Sequence, residues 1–308
     1  MSRTVFLGTS DFAATVLRRL ADSRHRPQLV LAPPDRPQGR GRRTLPPPAA
    51  VAARELDLPL LQTENVNSPD ALERIRSSSA EVAAVCAFGQ LIREPLLSEL
   101  EMLNVHPSLL PRWRGAAPIE RAIMAADEDT GVSIMRVTEG LDSGPVALQE
   151  RVTIEPDEDF GALGARLAQI GGELIVTAFD LRAEGRLELS EQDDEGATYA
   201  EKIEPGERRL DPLRPAVELA RTVRALTPHI GAYVETPDGE RLGVRAARAE
   251  DGDGETGQFE ARDGSLLLGC VDGVLRLDVV QPPGARPMPA NAFLRGHRVP
   301  DRAIVQND

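Results

Sequence analysis

Short apolar runs alternate with amphipathic segments through the first three-fifths of the chain. The run at residues 3–8 ends in glycine and is followed by Ser10 and Asp11, both typical helix-capping residues. Phe12, Val16 and Leu20 then recur every four residues, which puts them on one helix face. Further strands are predicted at residues 29–32, 58–61, 81–88, 102–106, 132–137 and 145–152, and further helices from Ser68, at 118–126 and from 159 to about 185.

This alternation favours an α/β fold whose mainly parallel sheet is covered by helices on both faces. The pattern changes near residue 188. Residues 188–206 are acidic and irregular apart from 198–203, and short strands separated by Asp-Gly turn pairs follow a helix at 215–226. The sequence therefore predicts an α/β domain at 1–188, a linker at 189–206 and a small antiparallel β-barrel domain at 207–308.

Residues 33–48, PPDRPQGRGRRTLPPP, are rich in proline and arginine. The prolines and glycines predict a loop without regular structure. Two interpretations of its arginines stay open. They lie on a solvated basic loop, or they contact the phosphates of a large anionic substrate. The arginines are Arg36, Arg40, Arg42 and Arg43.

Composition narrows the possible classes of protein. The net charge of −13 argues against a general nucleic-acid binder, whose affinity depends on neutralising phosphates. No apolar run approaches the length of a membrane span, and the first residues lack the features of a signal peptide. Cys86 and Cys270 lie far apart in apolar surroundings, which favours buried thiols. A cytoplasmic protein without a membrane partner is expected.

The candidate chemistry lies between residues 104 and 144. Asn104 and His106 occupy alternate positions at the end of a predicted strand, so they share one face. Asp142 lies in a glycine-flanked loop, EGLDSG. An amide, an imidazole and a carboxylate can together serve a carbonyl that becomes tetrahedral. The alternative is a structural histidine and an ordinary turn aspartate.

Several other sites are not indicated. The chain lacks the C-x-x-C and H-x-x-x-H spacings of metal sites, so no metal is expected. It also lacks the G-x-S-x-G of serine hydrolases and the G-x-G-x-x-G of dinucleotide-binding folds.

The stretches NVHPSLLPRWRGAAPIERAI and TGVSIMRVTEGLDSG closely resemble the methionyl-tRNA formyltransferase family. GTSDFAATVL, PDRPQGRGRR, TYAEKI and LRGHRV extend the resemblance over nearly the whole chain, in the family's order. It implies a Rossmann-like formyltransferase domain followed by an OB-like barrel. The implied reaction moves the formyl group of 10-formyltetrahydrofolate to methionyl initiator tRNA for bacterial translation initiation, without a metal.

The resemblance also implies roles for individual residues. Asn104, His106 and Asp142 match the catalytic residues, and Ser108, Leu109, Leu110 and Pro111 match the tetrahydrofolate-binding turn. Arg36, Arg40, Arg42 and Arg43 match the loop that contacts the acceptor stem of the tRNA. The barrel domain is implied to bind tRNA, although its nearly neutral charge departs from what such a surface needs. A monomer is expected.

Two rival functions are compatible with the sequence. A formyltransferase acting on glycinamide ribonucleotide or an amino sugar would use the same donor, but RGAAPI, the basic loop and the barrel favour tRNA. A non-catalytic folate- or RNA-binding module would need Asn104 and His106 for folding alone.

Overall fold

The computed structural model describes residues 2–38 and 43–305. They form two compact units. The first unit comprises residues up to 118, 129–153 and 164–200, and the second comprises 119–128, 154–163 and the residues from 201 onward.

The strands of the first unit agree with most of the predicted apolar runs. They are β1 (Thr4–Gly8), β2 (Pro27–Ala32), β3 (Arg36–Gln38), β4 (Arg43–Leu45), β5 (Leu60–Gln62), β6 (Val82–Cys86), β7 (Glu101–His106), β8 (Arg114–Gly115), β9 (Asp129–Arg136), β10 (Val146–Thr153) and β11 (Tyr199–Ala200). Within the described residues, seven of them form one sheet in the order β10-β9-β7-β6-β1-β2-β5. Neighbours from β7 to β5 pair in parallel, while β9 pairs antiparallel with both β7 and β10. The predicted mainly parallel sheet is confirmed.

Helices connect these strands. They are α1 (Asp11–Ala21), α2 (Pro48–Glu55), α3 (Pro69–Ser77), α4 (Leu96–Glu99), α5 (Pro118–Met124) and α6 (Phe160–Ala183). The predicted caps are present: the Ser10 hydroxyl accepts the Ala13 N–H, and the Ser68 hydroxyl accepts the Ala71 N–H. α2 and α4 were not predicted from the sequence, because short alanine- or leucine-rich segments carry little periodic signal.

The core of the first unit lies against the central strands. Every residue of β1 and β6 is buried, and Leu29 and Leu31 of β2 are at most 2% exposed. Strands buried along their whole length are typical of a parallel sheet covered on both faces.

The prediction of no regular structure at residues 33–48 was wrong. β3 and β4 pair antiparallel, with Arg36 opposite Leu45, and α2 begins at Pro48. A proline is tolerated in such a two-stranded ribbon because each strand has one edge that needs no donor. Pro48 is tolerated because the first turn of a helix leaves its N–H groups unpaired in any case. The intervening Arg40 and Arg42 lie outside the described residues.

The second unit is built around an antiparallel sheet. Its elements after residue 200 are a 3₁₀-helix (Pro205–Arg208), α7 (Ala216–Leu226), β12 (Ala232–Glu235), β13 (Arg241–Glu250), β14 (Phe259–Arg262), β15 (Ser265–Gly269), β16 (Val274–Gln281), β17 (Met288–Pro289) and α8 (Ala290–Gly296). The described strands follow the order β12-β13-β16-β15-β14, and β17 pairs with β16. Gly239, Gly264 and Gly273 adopt positive φ angles of 74–79° at the predicted turns. The predicted C-terminal antiparallel domain is confirmed.

Cys86 and Cys270 are free and buried, as predicted. Burial raises the pKa of the Cys270 thiol to about 11. Among the described residues, every helix is too short or too polar to cross a bilayer.

Candidate active site

Strand β7 presents Asn104 and His106 on the same side of the sheet. Val105, between them, is 2% exposed, and a Cβ built on Gly171 of α6 would lie 2.6 Å from its Cγ1. Val105 therefore packs directly on α6, which needs a glycine at that point. Because successive strand residues alternate, Asn104 and His106 face away from this helix.

His106 is held by acceptors near both ring nitrogens. Its Nε2 lies 2.8 Å from the carbonyl oxygen of Trp113, and its Nδ1 lies 3.7 Å from Oδ2 of Asp142. A carbonyl oxygen only accepts hydrogen bonds, so Nε2 carries the hydrogen. A neutral ring then presents a lone pair to the Asp142 carboxylate, whereas an imidazolium presents a second N–H.

Asp142 approaches His106 from the loop between β9 and β10. Its backbone has a φ of +46°, and its Oδ2 accepts the Gly115 N–H at 2.9 Å. Gly115 has a φ of +119°, and an added Cβ would lie 2.8 Å from the Ala200 carbonyl oxygen. Only glycine fits there, so the close approach of β8 to Asp142 depends on it. The fold thus brings together His106 and Asp142, as the sequence predicted.

Asn104 is half-buried at a central position in the sheet, opposite Val85 of β6 and Met135 of β9. It lies where the sheet changes from parallel to antiparallel pairing. The carboxyl ends of such central strands are the usual ligand-binding edge of open α/β sheets.

The turn after β7 is stabilised by its own polar groups. The buried Ser108 hydroxyl donates to the Arg112 carbonyl at 2.7 Å. The Ser133 hydroxyl of β9 donates to the Ser108 carbonyl at 2.6 Å and accepts the Leu110 N–H at 3.1 Å. Leu110 is also buried, whereas Leu109 and Pro111 are half-buried. Of the four residues predicted to bind folate, Leu109 and Pro111 are therefore the more accessible.

A cavity of about 300 Å³ adjoins this turn. Leu110 and Pro111 line one side, Gln149 lies on β10, and residues 190–193 line another side. The Gln149 amide donates to the Leu110 carbonyl at 2.9 Å and to the Ser133 hydroxyl at 2.8 Å.

Three contributors were missed at the sequence level. Ser133, Gln149 and Gln192 hold the turn and the Asp142 loop. A polar Ser133 within the apolar run VSIM was a signal that could have been noticed, because a buried hydroxyl needs partners. The glutamines carry no such local signal.

Comparison with known proteins identifies the family. A family model described as "Formyl transferase" matches residues 2–179, and one described as "Formyl transferase, C-terminal domain" matches residues 202–298. The methionyl-tRNA formyltransferase of Methylobacillus flagellatus is 41% identical over 298 residues, which cover 96% of each chain. That of Phenylobacterium zucineum is 42% identical over 303 residues, covering 97% of this chain and 98% of the relative. The chain belongs to the methionyl-tRNA formyltransferase family.

Solved structures show the same fold at low identity. HypX from Aquifex aeolicus, solved in complex with tetrahydrofolic acid, superposes with a TM-score of 0.68 and 17% identity. The match covers 99% of this chain and 51% of HypX, so the chain spans about half the length of that protein. An N-formyltransferase from Helicobacter canadensis, solved with folinic acid and dTDP-3-aminofucose, gives a TM-score of 0.65 at 13% identity, covering 94% and 100% of the two chains.

Membership of the methionyl-tRNA formyltransferase family confirms the fold class and the enzyme class predicted from sequence. The chain is a formyltransferase that draws its one-carbon unit from 10-formyltetrahydrofolate. Among the described residues, no cluster of three His, Cys, Asp or Glu side chains is arranged to hold a metal ion.

The predicted tRNA-contacting arginines are only partly described. Arg36 is exposed on β3, and Arg43 begins β4, where its backbone alone is described. Arg40 and Arg42 lie outside the described residues.

Proposed function

We propose that the chain transfers the formyl group of 10-formyltetrahydrofolate to the α-amino group of methionyl initiator tRNA, with Asn104, His106 and Asp142 as its catalytic residues. The observation that carries the proposal is the approach of Asp142 to His106 at the end of β7, with Asn104 two residues earlier. This arrangement suits the acyl-type transfer that defines the family.

The free amine attacks the formyl carbon and forms a new C–N bond. The carbonyl oxygen gains negative charge, which the Asn104 amide and the protonated His106 ring stabilise. A well-placed donor to such an oxyanion contributes about 3–4 kcal/mol to transition-state stabilisation. Asp142 keeps His106 charged and accepts the proton that the amine loses, directly or through a water. When the tetrahedral centre collapses, the bond to N10 of the folate breaks, and N10 keeps the electron pair and takes up a proton.

Tetrahydrofolate binding is assigned to the turn formed by Ser108, Leu109, Leu110 and Pro111. The hydroxyl of Ser108 and the N–H of Leu110 already have partners within the protein. Their role is therefore to fix the shape of the turn, while the half-buried Leu109 and Pro111 offer apolar surface to the ligand.

Recognition of the tRNA is assigned to Arg36, Arg40, Arg42 and Arg43 together with the C-terminal domain. We keep the domain boundaries that the sequence predicts: a catalytic domain at 1–188, a linker at 189–206 and a tRNA-binding domain at 207–308. A monomeric, cytoplasmic enzyme without a membrane partner completes the proposal.

The test is a comparison of amine acceptors with a fixed formyl donor. Formylation rates are measured for methionyl initiator tRNA, methionyl elongator tRNA and small amines, including an amino sugar nucleotide and glycinamide ribonucleotide. The initiator tRNA should give by far the highest kcat/KM. Equal efficiency with small amines would contradict the tRNA assignment.

A further inference from the structure

The side chain of Gln192 holds the loop that carries Asp142. Its Nε2 lies 2.8 Å from the Asp142 carbonyl oxygen and 2.7 Å from the Gly144 carbonyl oxygen. One amide group therefore fixes the backbone on both sides of Ser143. Gln192 lies 50 residues further along the chain than Asp142, in the segment that follows α6.

The orientation of this amide is set by Arg114. The Nε of Arg114 donates to Oε1 of Gln192 at 3.0 Å, and its Nη1 donates to Asp194 at 2.9 Å. A guanidinium only donates hydrogen bonds, so the atom of Gln192 that faces it must be the oxygen. The NH₂ group is thereby left facing the two carbonyls, which only accept. Arg114 is 3% exposed and Gln192 is half-buried, so the guanidinium that orients the amide is itself buried.

Other contacts also restrict the backbone of the loop that carries Asp142. A Cβ on Gly144 would lie 2.0 Å from the Arg136 carbonyl oxygen, so Gly144 packs against the backbone of β9. Val146 and Ser190 exchange backbone hydrogen bonds at 2.8 and 2.9 Å. Asp142 itself keeps the left-handed backbone conformation that non-glycine residues seldom adopt. Such a conformation persists where surrounding contacts hold it, and the Gln192 amide supplies two of them.

We infer that Gln192 is a positioning residue for the formyl transfer reaction: by donating to the carbonyls of Asp142 and Gly144, it holds the Asp142 carboxylate at His106. This inference rests on the proposed function. Gln192 is proposed to act through the loop, and no contact between its side chain and the reacting atoms is proposed.

Two substitutions separate the donor function from the rest of the side chain. Q192E keeps an oxygen for Arg114 but loses the N–H donors when ionised, and Q192M keeps the length but loses all hydrogen bonds. Both should lower kcat by about tenfold or more, because small misplacements of catalytic groups are costly. The KM values for folate and tRNA should change less than about threefold, since the loop positions the chemistry rather than the bound substrates.

The pH dependence of kcat distinguishes positioning from a merely structural role. A protonated carboxyl can again donate to one carbonyl, so the deficit of Q192E relative to the unsubstituted enzyme should shrink as the pH falls. The deficit of Q192M should not shrink in this way. E195Q is the matched control, because Glu195 is exposed on the same segment, and it should leave kcat unchanged.

Unchanged kcat in folded Q192E and Q192M, or a rise in KM alone, would overturn the role of Gln192 while leaving the proposed function intact. Failure of the unsubstituted enzyme to formylate methionyl-tRNA would instead overturn the proposed function, and the inference with it.

Discussion

At the scale of single residues, the chemistry depends on how His106 is surrounded. The Trp113 carbonyl and the Asp142 carboxylate face its two nitrogens at 2.8 and 3.7 Å. In the proposed mechanism the charge of the His106 ring and the Asn104 amide stabilise the oxyanion that develops in the transition state. Replacing His106 with alanine removes this charge and the group that Asp142 orients. We therefore expect kcat to fall about a hundredfold.

Local sequence rules predict these side chains only in part. Strand alternation is sufficient to put Asn104 and His106 on one face, and glycines near Asp142 indicate a loop. The contact of Gly115 with Asp142 and that of Gln192 with the same loop join residues 27 and 50 positions apart. No periodicity or spacing encodes such contacts, since they arise from the packing of β8 and the segment after α6. The candidate catalytic side chains could be proposed from the sequence, whereas most of the groups that hold them could not.

At the scale of elements, predictions succeeded where the hydrophobic signal was long. The buried strands β1, β6 and β7 and the helices capped by Ser10 and Ser68 were all predicted. The hairpin of β3 and β4 was missed because its strands have three residues each and contain proline, which argues against a strand in sequence alone. The pairing of β3 with β4 is therefore evident only from the structure.

The carboxylate of Glu101, at the start of the site-bearing strand β7, forms ion pairs whose contribution to stability can be tested. Glu101 accepts from Arg182 of α6 at 2.6 Å and from Arg136 of β9 at 3.1 Å. Burial alone would raise the pKa of the Glu101 carboxyl, but its bonds to Arg182 and Arg136 outweigh burial and hold that pKa below its ordinary value of 4.5. A lowered folded-state pKa means that the stabilisation is present above pH 4.5 and is lost as the pH falls through the folded-state value.

Glu101→Gln should accordingly lower the free energy of unfolding by about 1 kcal/mol at pH 7, the usual scale for a partly buried charged hydrogen bond. Urea unfolding at pH 7 and at several values below pH 4.5 measures the effect, and the difference from the unsubstituted protein should shrink on acidification. Glu64→Gln at an exposed position is the control. A difference that grows as the pH falls would contradict this account of the pair.

At the scale of the whole molecule, charge limits how tRNA can be held. The net charge is −13, and many arginines of the second unit are paired with carboxylates. Arg248 contacts Asp278 at 2.9 Å, and Arg276 contacts Glu250 at 3.1 Å. Paired arginines neutralise phosphates less effectively than free ones. The basic loop at residues 33–48 is therefore expected to supply much of the electrostatic attraction.

Arg40→Ala should raise the KM for methionyl-tRNA several-fold, with little change in the KM for folate. The slope of log(kcat/KM) against log(salt) should become shallower by about one, because one phosphate contact is lost. Arg74→Ala, which removes an exposed arginine from α3, is the matched control. Identical tRNA kinetics for Arg40→Ala and the unsubstituted enzyme would leave Arg40 as part of a solvated loop.

The most direct test of the central claim is the rate of formyl transfer to methionyl initiator tRNA by His106→Ala under saturating formyl donor, alongside thermal unfolding of the same sample. We expect a kcat about a hundredfold below that of the unsubstituted enzyme, with an unfolding temperature that shows a folded protein. Near-normal turnover by folded His106→Ala would contradict the assignment of Asn104, His106 and Asp142 as the catalytic residues.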